Sequence, residues 1–230
     1  MLTLRNLNAG YGKLTVIRNL DLSLEKGMIH GLIGLNGSGK STLLKCISGI
    51  LSPQNGEMLL DEMSFNVKHV GLLETEPYFY NGITGREFLN LFKDPDGKIF
   101  MADEWGSLFN IPLDKLIDGY STGMKKKLAI TGVIKTNRKI ILLDEPFNGL
   151  DLEPSRVLST ILPQLVTEGK IIIISSHILD TLKGICSKIH YLNDGKIQRT
   201  FTPGDENEIE SVIFHELDQH LSKRIKSLIK

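Results

Sequence analysis

The sequence predicts an α/β fold with a mostly parallel central sheet, an antiparallel β subdomain ahead of it and a helical subdomain inserted in its middle. Three observations carry that expectation. A short apolar run at residues 29–33 leads through a glycine-rich loop into apolar residues at helical spacing over residues 41–50. Two β-branched runs, 139–143 and 171–175, are too uniformly apolar to have a wet face, and a helical pattern from about 153 to 167 lies between them, as in parallel strands covered on both sides. Between these halves, residues 84–117 switch to short helical patterns.

In chain order, Leu2 and Leu4, then Val16 and Ile17, then Leu20, Leu22 and Leu24 alternate with polar neighbours, and 58–60 is a further apolar run. This is the pattern of an antiparallel sheet with one solvated face. Residues 70–73 read as a buried strand. The insertion shows Phe88, Leu89, Leu91 and Phe92 in one helical group and Leu108, Phe109 and Ile111 in another, interrupted by the turn-forming D-P-D-G at 94–97. A helix is expected over 124–135, preceded by Ser121 and Gly123, and the strand–helix–strand pattern then resumes. The expected division is one domain over 1–203, with the helical subdomain at about 84–135, and a tail over 204–230. That tail carries Ile209, Val212, Ile213, Leu217, Leu221, Ile225 and Leu228, an amphipathic stripe that either packs on its own domain or docks on a partner.

The 230 residues suffice for one α/β domain with a buried core but not for two full ones. Lysine plus arginine equals aspartate plus glutamate at 27 each, so no bulk charge favours nucleic acid or an acidic membrane surface. Cys46 and Cys186 stand far apart without metal-ligand spacing and read as reduced, packed residues of a cytoplasmic protein. No apolar run approaches the ~18–20 residues of a spanning helix. Work at a membrane would therefore need another chain to supply the span.

Residues 34–42, G-L-N-G-S-G-K-S-T, match the phosphate-loop pattern G-x-x-x-x-G-K-[S/T], placed between a strand and a helix N-terminus as its chemistry requires. Gly34, Gly37 and Gly39 allow the backbone to curl until successive N–H groups point inward, and the helix adds its positive dipole end. With Asn36, Ser38 and Thr42 they form the expected nucleotide cradle of a P-loop NTPase. Lys40 would carry charge to the β- and γ-phosphates, and the Ser41 hydroxyl would join phosphate oxygens and water around Mg²⁺. Residues 140–146, I-I-L-L-D-E-P, form an apolar strand ending in two carboxylates. Asp144 is the expected metal-side acid and Glu145 the base that polarises water. Lys125, Lys126 and Lys127 read as a solvated face, with a phosphate clamp as the alternative.

Further segments in the same order resemble the ATP-binding cassette (ABC) ATPases over about residues 1–199. Residues 120–125, Y-S-T-G-M-K, resemble the family signature in the variant of the ABC-2-type exporter branch; N-G-L-D at 148–151 resembles the D-loop, and S-S-H at 175–177 the switch-histidine segment. Tyr11 resembles the aromatic residue that stacks on adenine. The resemblance implies ATP and Mg²⁺ as cofactors, with Ser121, Gly123 and Asp151 binding nucleotide and His177 contacting the γ-phosphate. In the family a signature completes the ATP site of an opposing subunit, so one P-loop and one signature imply a head-to-tail dimer, here a homodimer. It further implies an integral membrane permease partner, an exporter, and a place on the cytoplasmic face of the cell membrane. A soluble ABC ATPase acting on ribosomes or nucleic acid is the alternative. The sequence departs from the family where a glutamine usually follows the strand at 70–73: the segment is G-L-L-E-T-E-P, and Thr75 takes the metal-side position. A bridging water or a neighbouring glutamate could make up for the shorter side chain.

Overall fold

The structure, a computed structural model, describes residues 1–205 and 208–212. Its first sheet is antiparallel, in the order β2-β1-β4-β5, from β1 (Leu2–Tyr11), β2 (Leu14–Leu24), β4 (Asn55–Leu60) and β5 (Met63–Ser64). At Gly10 a Cβ would sit 1.9 Å from the Leu14 carbonyl oxygen, so the β1–β2 hairpin closes only around glycine. The second sheet has the order β10-β9-β3-β8-β7-β6. It is built from β3 (Met28–Ile33), β6 (Val70–Leu73), β7 (Ile140–Asp144), β8 (Ile171–Ser176), β9 (Lys188–Asn193) and β10 (Lys196–Phe201). Every pairing in it is parallel except β9 with β10.

The principal helices are α1 (Lys40–Ser48), α2 (Gly85–Asn90), α3 (Ala102–Leu108), α4 (Thr122–Lys135) and α5 (Leu152–Thr167), with residues 208–212 also helical. The central strands divide their side chains between two cores with the period of two that a strand imposes. Ile140 and Leu142, with Ile171 and Ile173, face α1 and the antiparallel sheet. Ile141 and Leu143, with Ile172 and Ile174, face α4 and α5. Burial on both sides explains why β7 and β8 read as unbroken apolar runs. Cys46 and Cys186 are free thiols; burial pushes Cys46 up to about 11 and Cys186 up to about 12, which makes both inert near neutrality.

Several expectations need correction. β9 and β10 were not legible in the sequence pattern. The second helical group of the insertion ends at Leu108, and Phe109 and Ile111 are buried beyond it. Gly123 does not precede α4 but lies in its first turn. The lysine run is not a solvated face: Lys126 is only 4 % exposed, and Lys125 and Lys127 are half-buried. At the start of the tail, Ile209 is buried against the main core and Val212 packs beside it, while the rest of the stripe from Ile213 to Leu228 lies outside the described residues.

Candidate functional site

The glycine-rich loop leaves β3 at Ile33 and enters α1 at Lys40. Gly37 and Gly39 take positive φ angles of 85° and 110°, a region costly for any side-chain-bearing residue. Gly34 serves a different need, since a Cβ there would lie 2.3 Å from the Leu192 carbonyl oxygen. The Lys40 ammonium donates to the carbonyl oxygens of Gly34 at 2.7 Å and Leu35 at 3.3 Å, and stands 4.0 Å from Glu145 Oε1. Burial draws it below the usual lysine range, opposed by Glu145 and then Asp144. The Ser38 hydroxyl is buried with no hydrogen-bond partner.

Parallel register brings the carboxylates to this loop. Leu73 pairs with Leu143, and Asp144 with Ser175, so β6, β7 and β8 end at one level. The Thr75 hydroxyl donates to Asp144 Oδ2 at 2.9 Å, and the Ser175 hydroxyl donates to Asp144 Oδ1. Ser175 Oγ also accepts the Glu145 N–H at 3.0 Å. Glu145 adopts a φ of 48°, which turns its carboxylate back across the strand ends. Its Oε1 meets His177 Nδ1 at 3.0 Å.

Part of this set lines a cavity of about 570 Å³, while Gly34, Ser38, Asp144 and Ser175 are not among its lining residues. Asn36, Gly37 and the segment 39–42 form one wall; Thr75, Glu145 and His177 form the other. Tyr11 closes one end, 52 % exposed, with Leu14 and Val16 beside it as an apolar shelf. Leu14 and Val16 also line it and were not foreseen as site residues, and Asn148, quoted only as the first residue of the D-loop segment, lines it too. Ser175 was quoted only as part of a motif; its pairing opposite Asp144 is the signal that marks it. Lys126 was read as surface, yet its Nζ donates to the Thr75 carbonyl at 3.1 Å. Burial lowers its ammonium too, opposed first by Asp144 and then by Glu145.

An orphaned buried hydroxyl at Ser38, open space over Gly37 and a lysine resting on loop carbonyls suit a phosphate chain. Asp144, Ser41 and Thr75 supply oxygen donors of the kind a hard divalent cation takes. Among the described residues no group of three or more His, Cys, Asp or Glu side chains could hold a metal by itself. A cation here would need phosphate oxygens to complete its shell.

Ser121, Gly123 and Asp151 do not reach this cavity. They line a separate cleft of about 240 Å³ with Met124, Lys127 and Leu150. Ser121 caps α4 by accepting the Met124 N–H at 3.2 Å, and Asp151 stands at the start of α5. A third cleft, about 360 Å³, runs between the segment 76–81 and the insertion; Tyr78 at its rim is 74 % exposed.

A family model described as ABC transporter matches residues 17–148. The lantibiotic transport ATP-binding protein SrtF of Streptococcus pyogenes is 30 % identical over 204 residues, covering 86 % of this chain and 89 % of that protein. The bacitracin transport ATP-binding protein BcrA of Enterococcus faecalis is 32 % identical over 203 residues, covering 84 % of this chain and 66 % of that protein. Among solved structures, an ATP-binding subunit of an ABC transporter superposes with a TM-score of 0.81 at 24 % identity, covering 96 % of this chain and 99 % of that one. A dimeric ATP-binding cassette in a post-hydrolysis state, bound to ADP and Pi, gives 0.74 at 21 %, covering 88 % and 98 %.

Proposed function

Because this chain belongs to the ABC transporter family, as an ATPase that uses ATP with Mg²⁺, we propose that it powers export through a separate membrane-spanning permease and works as a head-to-tail homodimer. The observation that carries the proposal is the separation of the two clefts. Lys40, Glu145 and His177 line one, while Ser121, Gly123 and Asp151 line another, which supports a reading in which a second chain brings a signature to each phosphate loop. The dimeric cassette among the structural neighbours supports this reading.

Bound Mg²⁺-ATP supplies the scissile phosphoanhydride and the metal that neutralises its charge. Tyr11, with Leu14 and Val16 in the same cavity, would hold the adenine. Gly34, Asn36, Gly37, Ser38, Gly39 and Thr42 offer backbone and hydroxyl donors to the phosphates, and Lys40 leaves its loop carbonyls for the terminal ones. Ser41, Asp144 and Thr75 serve the metal side. Glu145 accepts the proton of the attacking water, and His177, held on Glu145 Oε1, faces the γ-phosphate. Ser121, Gly123 and Asp151 of the other subunit close the site from above.

The permease docks in the cleft beside Tyr78 and Tyr80, bounded by Ile117, Asp118 and Lys125. Among the described residues no helix is long and apolar enough to cross a membrane; in this reading the partner supplies the span and holds this chain on the cytoplasmic face. The relatives named for lantibiotic and bacitracin transport and the Y-S-T-G-M form of the signature support export. In this reading residues 1–203 are the cassette and 204–230 an appended tail, with 84–135 as the helical subdomain. The test is Glu145→Gln. Turnover should fall about 10²- to 10⁴-fold, and ATP should trap a dimer in light scattering. A variant that stays monomeric at saturating ATP would overturn the dimer. Tagged protein taken from membranes in mild detergent should bring an integral protein with it, and recovery only with ribosomes or nucleic acid would overturn the transporter.

A further inference from the structure

We propose that Lys126 is a positioning residue for hydrolysis: it holds the Thr75 backbone so that the Thr75 hydroxyl stays on Asp144. The proposal rests on the ATP-hydrolysing reading above and assigns a role to a residue outside every nucleotide motif. A lysine 4 % exposed in the first half of a helix is unusual, because its ammonium gives up water for few partners. Here it donates to the Thr75 carbonyl oxygen, and Asp144 is the strongest charge opposing its burial, followed by Glu145.

Of the two buried lysines, Lys40 stands 4.0 Å from a carboxylate oxygen of Glu145, whereas Lys126 holds a backbone carbonyl. Lys40 lies against Glu145 and, once a nucleotide binds, turns its charge to phosphate. Lys126 lines the cleft beside residues 75–81 rather than the cavity of the phosphate loop, and its ammonium sits on the Thr75 carbonyl.

The segment after β6 is therefore held from three directions. Glu74 pairs with Lys45 of α1 at 3.3 Å, the Thr75 hydroxyl holds Asp144 of β7, and the Thr75 carbonyl is held by α4. Because Ser121 caps that same α4, any displacement of the helix from its N-terminal end is carried by Lys126 into the metal-side carboxylate.

The experiment has two readouts. In the nucleotide-free protein, Lys126→Met should speed amide hydrogen exchange over residues 74–81 and leave residues 34–42 unchanged. In steady-state turnover it should lower kcat about 10- to 100-fold, the usual cost of losing a partner behind a metal site, with KM for Mg²⁺-ATP within about threefold. Lys126→Arg, which keeps both charge and donors, should restore both readouts. The effects of Lys126→Met and Thr75→Val on kcat should be less than additive, because they act through one carboxylate. Unchanged exchange over 74–81, an equal loss of kcat and nucleotide affinity, or additive losses would overturn the proposal. If Lys126→Met does not melt cooperatively, Lys126→Gln takes its place in the same comparison. A wild-type protein that hydrolyses no ATP would instead sink the underlying function, while the exchange measurement would still report on the Lys126 tie.

Discussion

Asp144 has both carboxylate oxygens engaged, one by Ser175 and one by Thr75, and the Ser175 oxygen also receives the Glu145 N–H. One serine hydroxyl therefore sets the position of two consecutive acids. Ser175→Ala would leave a buried carboxylate oxygen and a buried N–H without that partner, at a cost of about 1–3 kcal/mol in urea unfolding. Turnover should fall about 10- to 100-fold in the same variant. Glu145 adds a second local demand, because at φ 48° its backbone is held where a side chain crowds the chain. At Thr75 the departure from the family pattern gains a physical reading: the short hydroxyl touches Asp144 directly, and Lys126 secures it from behind.

Between elements, the most unusual packing lies where β3 meets β9. His30 and His190 stack in the core, His30 Nδ1 lying 3.1 Å from His190 Nε2. His30 Nε2 meets the Glu25 carbonyl oxygen, which can only accept, so His30 carries its proton there. Its Nδ1 then accepts from His190, whose own Nδ1 accepts from the Thr200 hydroxyl at 2.9 Å. With both rings neutral every one of these contacts is satisfied, and the Glu25 carboxylate stands 3.8 Å from His30 Nε2. Burial, then the neighbouring His30, pushes His190 down to about 3, and burial lowers His30 as well. Since the unfolded rings titrate near 6.5, this arrangement is undiminished above that pH and loses stability as the pH falls from 6.5 towards 3. His190 alone contributes a slope of about 1.4 kcal/mol per pH unit well below 6.5. Denaturant unfolding at pH 7.5, 6 and 5 should show it, and His30→Phe/His190→Phe should flatten it. The same pair explains what the sequence hid. β7 and β8 were legible because isoleucine and leucine fill both faces, and the P-loop because its glycines and lysine are spaced by phosphate chemistry. β9 reads K-I-H-Y-L-N, with a histidine where a strand pattern calls for an apolar residue, and β10 is an edge strand with few buried side chains. The tie from Lys126 to Thr75 joins residues far apart in sequence and leaves no local pattern at all.

For the whole molecule, the distance between the P-loop cavity and the Ser121 cleft yields a complementation test. Lys40→Ala disables the phosphate loop and Ser121→Phe blocks the signature. Each variant alone should be inactive as a homodimer. Mixed in equal amounts, they should recover up to about a quarter of the wild-type rate, because half of the dimers then contain one intact composite site. A site complete within one chain would give no recovery. The sheet order carries a consequence for synthesis. β3, the strand that launches the phosphate loop, emerges early, yet its two neighbours are β8 and β9, which are translated near the end of the described chain. A ribosome that has released only the first half of the protein presents the nucleotide motif on a strand whose edges are bare, the state in which unpaired edges invite aggregation. Nucleotide can act as a folding ligand only after Ile171–Ser176 and Lys188–Asn193 have left the exit tunnel. Until then the growing chain depends on chaperones or on speed.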